Sequence, residues 1–326
     1  MARKLGYKSY VGFGEESSLG TFAAPEVYIE YNSESMQKEI NEQVIEAVNG
    51  TRTPTKRVTL EETAGGGFSY PVVIGTELKL FRHLSGCNYS MSTVTAGVYQ
   101  FTFKIDTVSS QTSLSMQICR DTSDTDSTYN YTGCKCNTAN IGISVGNLLA
   151  CDIDLMCVDM ASADTISTAS YNSNNPYTFK DATINIGDNS GAATATSLTD
   201  WSVSLGQQLI EVNELGSATR VAIEEGMLDV TGEMSMSYQD QSQLNRFLNK
   251  TKTYIEAEFD SGVTITGAYN HSITFKSYNS YYNGSVPNIG SANEIISQSI
   301  PWRSIRENSS NGVMEIVVQT SANTIT

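Results

Sequence analysis

Histidine is nearly missing from this chain: there are two in 326 residues, His83 and His271. Charge is thin as well, at 17% Asp, Glu, Lys and Arg, against about 25% in an ordinary soluble protein. What charge there is leans one way, with 35 acidic against 20 basic residues and a net charge of −15. Prolines number only six. No apolar run approaches the ~20 residues of a membrane-spanning helix. Each shortage removes a class of function. Imidazole-based catalysis has two candidates only, and His83 in TELKLFRHLSG and His271 in a Tyr/Asn-rich strand region both read as structural residues. The lack of clustered Lys and Arg excludes a sequence-independent grip on the phosphate backbone. It does not exclude DNA passing nearby.

The six cysteines are Cys87, Cys119, Cys134, Cys136, Cys151 and Cys157. Their CxC and CxxxxxC spacings are not those of a zinc knuckle. Buried free thiols are expected, with a metal site or disulfides as the alternatives; neither metal nor cofactor is assigned. The opening MARKLGYKSY is basic but lacks the apolar core of a secretory signal, so a cytoplasmic origin with reduced thiols is expected. Arg3, Lys4 and Lys8 form either an N-terminal arm that meets an acidic neighbour or a solvated terminus.

The remaining composition is Ser, Thr, Asn and Gly around 39% hydrophobic residues, enough to fill a core. Alternation of apolar and polar residues dominates. VYIEY (27–31), RVTLEE (57–62), YQFTFKID (99–106), ACDIDLMCVD (150–159), TINIG (183–187), WSVSL (201–205), MSMSY (234–238), YIEAEF (254–259), ITFKSY (273–278) and MEIVVQT (314–320) all read as strands with one buried face. Helical spacing occurs twice. Leu78, Phe81 and Leu84 share a face within 75–86, which ends at Gly86, and Leu244, Phe247 and Leu248 share one within 239–250, with Asp240 placed to cap it. The stretch 35–48 is ambiguous, because Ile40, Val44, Ile45 and Val48 mix helical spacing with β-branching. The polar run 162–198 contains one expected strand, and GDNSGAATATS within it reads as a flexible connection. The fold class expected is mainly β: two tandem β-sandwich or barrel domains, each with one short helix, divided as 1–190 and 191–326.

That division rests on an internal repeat, a feature that decides architecture when present. RVTLEETAGGGFSYPVVIGTELKLFRHLSG starts at Arg57, and RVAIEEGMLDVTGEMSMSYQDQSQLNRFLNK starts at Arg220. Arg57-Val58 matches Arg220-Val221, and Leu60-Glu61-Glu62 matches Ile223-Glu224-Glu225. One inserted residue later, Leu80, Arg82 and Leu84 match Leu244, Arg246 and Leu248. The spacing of the two arginines is half the chain length.

Catalytic constellations are weak. Asp152 and Asp154 fall on one face of a strand, opposite Ile153, Leu155 and Cys157, the pattern of a half-exposed strand rather than a catalytic pair. TAGGGFS (63–69) lacks the GK[ST] and helix of a phosphate loop. DTSDTDSTYN (121–130) lacks the glycine and terminal glutamate of a calcium loop. No enzyme is expected.

The pattern GFGEESSLGTFAAPEVYIEYNSESM (12–36), the polar connection and glycine step VNGTRTPTKRVTLEETAGGGFSYPVVIGTELKLFRHLSG (48–86), and VAIEEGMLDVTGEMSMSYQDQSQLNRFLN (221–249) together resemble the tail tube (major tail) proteins of long-tailed bacteriophages, especially siphophages. The resemblance spans most of the chain. It implies small β-sandwich domains with a flanking helix, six to a ring around a lumen, stacked through a long loop and the termini. Two such domains per chain imply a trimer with pseudo-sixfold symmetry, and a single domain with insertions implies a hexamer. The implied setting is the virion tail, with tape measure, baseplate or tail-tip and tail terminator proteins as partners. DNA crosses the lumen without specific binding, and no membrane is involved. An acidic wall suits that transit because it repels phosphate. Lumen-facing candidates are Glu30, Glu34, Glu61, Glu62, Glu224, Glu225, Asp229 and Glu233, although Glu61 and Glu62 cannot both face inward from a regular strand. For 37–56 the alternatives are an inter-ring stacking hairpin, using Glu39, Ile40, Val44, Asn49, Gly50, Arg52 and Pro54, or a surface helix followed by a loop. Other phage parts (a baseplate or head-closure ring) and a β-rich surface adhesin remain as alternative assignments.

Overall fold

The computed structural model describes residues 3–48, 50–74, 78–86, 89–106, 111–163 and 165–325. The chain is mainly β, and every strand pairing is antiparallel. Seven strands form the broadest layer. In spatial order they are Gln37–Ile45, Lys56–Pro71, Ala150–Cys157, Thr128–Ser144, Asp200–Gly206, Asp229–Ser237 and Ser297–Ser304. A second layer runs Tyr89–Thr95, Val98–Ile105, Met314–Thr320, Tyr269–Tyr282, Thr253–Thr266 and Ala182–Gly187. Both layers cross between the halves of the sequence, through Thr128–Ser144 against Asp200–Gly206 and through Val98–Ile105 against Met314–Thr320.

Period-2 alternation explains why these segments pair as they do: one side of each strand is apolar and is hidden between the layers. Phe68, Ile153, Ile141, Val203, Met234 and Trp302 from the first layer belong to one core cluster with Phe101, Phe103, Ile316, Phe275 and Phe259 from the second. Aromatic rings tie the layers. Trp201 lies 5.3 Å from Phe275 and 5.9 Å from Phe259, and Phe81 lies 6.4 Å from Phe275.

The two expected helices are Leu78–Leu84 and Ser242–Leu248. They are not used alike. Leu78, Leu80, Phe81, His83 and Leu84 are buried in the first, whereas the second lies on the surface with no fully buried residue and with Leu248 exposed. Asp240, expected to cap this helix, stands one residue before the N-cap Gln241 and accepts from the Ser242 amide at 2.7 Å.

A third, smaller sheet runs Val27–Ile29, Tyr10–Glu15, Leu114–Cys119, the start of Thr128–Ser144, and Asp159–Ser162. Thr128–Ser144 serves two sheets because it turns at Gly133, where φ is +63° and an added Cβ would run into Val158. Beside that turn the buried Glu16 carboxylate accepts from Ser113 Oγ, Ser115 Oγ, the Gly133 amide and the Gly20 amide at 2.6–2.9 Å.

The structure departs from the sequence reading in three places. The ambiguous stretch 35–48 forms a strand, Gln37–Ile45, not a helix. GDNSGAATATS is not a free connection: Thr194–Ala195 pairs back on Asn185 and Ile186, and the Thr196 amide donates to Ile184 O at 2.8 Å. Of the cysteines, Cys134 and Cys157 are joined as a disulfide, Cys119 and Cys136 are free and buried, and Cys151 is buried; Cys87 lies outside the described residues. Adjacent paired strands bring Cys134 and Cys157 together, a proximity that spacing alone does not disclose.

Candidate functional site: an open acidic sheet face and a projecting hairpin

The side of the seven-stranded layer that faces away from the core is built from small side chains. Register aligns Ser69, Asp152, Asn140, Ser204, Thr231 and Arg303 in one row across six strands. Gly67, Asp154, Thr138, Gly206 and Asp229 make the next row, and Gly142, Ser202, Glu233 and Pro301 another. The charges on these strands' open face are Asp152, Asp154, Asp200, Asp229, Glu233 and Arg303. Arg303 is neutralised by Asp229 at 2.9 Å. A hollow at one end of the face is lined by Gly142, Ser144, Asp200, Ser202, Glu233 and Ser235. Such a surface offers exposed carboxylates among small hydroxyl and amide side chains.

Two of the sequence candidates, Asp229 and Glu233, stand on this face. The others do not join them. Glu30 is exposed beyond Val27–Ile29, and Glu34 is held by Arg120 at 2.8 Å. Glu61 and Glu62 diverge, as alternation requires: Glu61 accepts from Asn213 Nδ2 at 2.9 Å, while Glu62 pairs with Lys38 at 2.6 Å. Glu224 is exposed elsewhere. Glu225 is half-buried against Lys135 at 2.8 Å; burial pushes its carboxyl up, but Lys135 and the Gln111 amide outweigh that and hold it below the usual carboxylate range. Asp152, Asp154 and Asp200 stand on the open face as well, the first two on the polar side that alternation gives them.

The second feature is a hairpin of Gln37–Ile45 and Lys56–Pro71 that runs beyond the body of the sheet. Its base crosses Ser35 and Met36 at Gly66, where φ is +134° and any Cβ would collide with both backbones; the triple glycine is thus a structural step. Beyond the base the arm exposes Ile40, Val44, Ile45, Val48, Val58 and Leu60, with Ile40 at 53% and Val44 at 51%. A lone two-stranded arm with apolar residues in water is marginal by itself. Glu39, Gly50, Arg52 and Pro54 are exposed along it and its turn, and Asn49 lies outside the described residues.

The repeat recurs as structure. The second half places a short hairpin, Ile210–Val212 with Ala222–Glu224, ahead of Asp229–Ser237, a helix and the hairpin Thr253–Thr266/Tyr269–Tyr282. In the first half the arm's second strand and the sheet strand are one continuous element, Lys56–Pro71, followed by the helix Leu78–Leu84 and the hairpin Tyr89–Thr95/Val98–Ile105. This second hairpin is folded down. Arg220 donates to Ala64 O and Cys157 O at 2.8 and 2.7 Å, and Lys135 donates to Ile223 O at 2.6 Å.

At the N-terminus, Lys4 pairs with Asp124 of its own chain at 2.7 Å, and the Thr122 amide donates to Lys8 O; Arg3 is exposed. His83 is buried and its Nδ1 faces Thr112 O at 3.1 Å; burial, with Arg82 and Lys79 nearby, lowers its pKa to about 4 and keeps the ring neutral. Burial also lowers His271. Among the described residues no cluster of His, Cys, Asp and Glu could hold a metal, and no helix is long and apolar enough to cross a membrane.

Comparison with known proteins agrees with this architecture. No curated protein matches the chain. A family model described as phage tail tube protein matches residues 6–304, nearly the whole chain. The chain therefore belongs to the phage tail tube protein family, and its role is that of a structural component of the virion tail.

Proposed function

We propose that the protein polymerises as stacked rings into a hollow tube, with the open acidic face turned to the lumen so that DNA passes during ejection without being held. The observation that carries this reading is the composition of that face: carboxylates spread over Gly, Ser, Thr and Asn, opposite a mostly apolar core side. Phosphate is repelled by such a wall; among the described residues only one cation on it, Arg303, could hold phosphate by charge, and that one is neutralised by Asp229. In this reading Glu30, Glu34, Glu61 and Glu224 give way to Asp152, Asp154, Asp200 and Glu233 as the wall charges.

The two halves, 1–190 and 191–326, act as tandem tube domains, and three chains close a pseudo-sixfold ring. The recurring order of hairpin, strand, helix and hairpin supports this. The arm of Gln37–Ile45 and Lys56–Pro71 stacks one ring on the next, because its exposed apolar residues need a partner. A tape measure protein, a tail tip or baseplate and a terminator complete the tail, which is assembled in the host cytoplasm.

Negative-stain microscopy of the purified protein tests the reading. Hollow tubes of constant diameter with stacked rings are expected; discrete monomers at high concentration, even with an initiator, would sink it. Reversing Asp152 and Asp154 to Lys should leave tubes intact and slow DNA ejection. Unchanged ejection kinetics would remove these residues from the wall.

A further inference from the structure

Arg57 and Arg220, matched by the repeat, stand in different surroundings. Each reaches across its own hairpin to a glutamate, Arg57 to Glu42 at 2.9 Å and Arg220 to Glu211 at 2.5 Å. The Arg220 side chain is 9% exposed because its hairpin lies over the ends of Lys56–Pro71 and Ala150–Cys157, where it holds Ala64 O and Cys157 O. The Arg57 side chain is 68% exposed. The second half thus covers a shelf on the first; on the corresponding shelf of the second, Arg306 pairs with Asp106 at 2.7 Å and its carbonyl accepts from Asn279 Nδ2 at 3.4 Å, but among the described residues no guanidinium takes the place that Arg220 takes on the first.

Register locates that uncovered shelf. Gly66 and Phe68 pair with Leu155 and Ile153, as Val230 and Gly232 pair with Ser304 and Trp302. Two residues further out, Leu228 and Arg306 occupy the positions of Ala64 and Cys157. Beside them Met227 is 72% and Ile305 48% exposed, and Glu224, the repeat counterpart of Glu61, is exposed too. Exposed Met227 and Ile305 offer an apolar surface that matches Val44 and Val58 of the arm, and the Arg306 charge beside them is neutralised by Asp106.

We infer that the arm of a second copy of this chain docks on this shelf, with Arg57 taking toward the Leu228 and Arg306 carbonyls the place that Arg220 takes toward Ala64 and Cys157. The inference rests on the ring reading. When related units alternate around a ring, the contact made inside a chain by its second half on its first is repeated by the first half of the next chain on the second, and such a head-to-tail contact closes. The outermost strand pairs of the arm then serve the lateral contact, and the turn that joins them remains for stacking.

The test mixes two single variants, Val58→Cys and Met227→Cys, both at exposed positions, assembles them together and treats them with a short bismaleimide. A covalent dimer containing one copy of each is expected, absent from either variant alone and from wild type. Adding Arg57→Glu to the Val58→Cys chain should cut the dimer yield at least tenfold with the urea midpoint of the unassembled chain unchanged; an unchanged yield removes Arg57 from the contact. Tubes that form without the cross-linked dimer overturn the docking and leave the ring reading standing. A wild-type chain that forms no tubes overturns both.

Discussion

Replacing Arg220 with Met keeps most of the side-chain volume and removes the charge that clamps the second hairpin to the body. Arg220 gives Ala64 O and Cys157 O two hydrogen bonds of 2.8 and 2.7 Å from a buried guanidinium. Bonds from charged donors contribute about 1.5–3 kcal/mol each, hence about 3–6 together. Against that, burying the guanidinium costs on the order of several kcal/mol, and methionine escapes the cost. Glu211 is half in solvent and rehydrates readily. The remainder is a loss of about 2–3 kcal/mol, large for a single substitution. Urea titration of the dilute, unassembled chain reads it as a lower midpoint with an unchanged slope. Hydrogen exchange reads its location: the Val221 amide, which donates to Val212 O at 2.9 Å, should exchange faster, while Ile316 and Phe275 in the paired core keep their protection relative to global unfolding. A midpoint shift below about 0.5 kcal/mol with unchanged exchange at Val221 would refute the clamp, since that is the scatter of an ordinary surface change.

Three further outcomes are expected. Gly232→Ala would set a Cβ against the Trp302 ring and Ser202 O, both well inside 3.0 Å, and should cost about 1–3 kcal/mol in thermal or urea unfolding; a neutral result would mean that the two strands separate easily. His83 takes a proton at about 4 when folded against 6.5 unfolded. Stability is therefore fully present above pH 6.5 and falls by up to about 3 kcal/mol between 6.5 and 4, as the unfolded chain alone gains the proton. Unfolding titrations of His83→Asn, which keeps a donor for Thr112 O, should lose most of that slope. Cys157→Ala should lower stability by about 2–4 kcal/mol under oxidising conditions, and dithiothreitol should shift the melting temperature of the wild type but not of the variant.

Much of this architecture was legible because alternation is a direct image of a half-buried strand. VYQFTFKI and MEIVVQT show it plainly, and so does ACDIDLMC, which put Asp152 and Asp154 on one open side. Where the strands were unreadable, the cause lies in their surroundings. Leu114–Cys119 is buried on both sides, and its polar members are satisfied by distant partners: Ser115 by Glu16, and Gln117 by Tyr10 and Asn130. Such pairing makes a buried polar residue look like a loop residue in sequence. Thr128–Ser144 changes sheets at Gly133 and so has no single buried side to alternate about. Gln37–Ile45 has solvent on both faces, which erases the period that distinguishes strand from helix. Asp200 and Glu233 reach the same open face through strand order, a relation between distant segments that local pattern does not encode.

In the proposed tandem reading, the two hairpins also bear on why related units should be joined in one chain. Separate identical subunits force every arm to keep one sequence, so a residue that improves a clamp also alters the free arm. Joined units are released from that compromise. Here the shorter arm has Arg220 and Ile223 buried and committed to its own body, while the longer one has kept its counterparts Arg57 and Leu60 in water. A mutation in either arm now changes one kind of contact and leaves the other as it was, so the two can drift toward different tasks at independent rates.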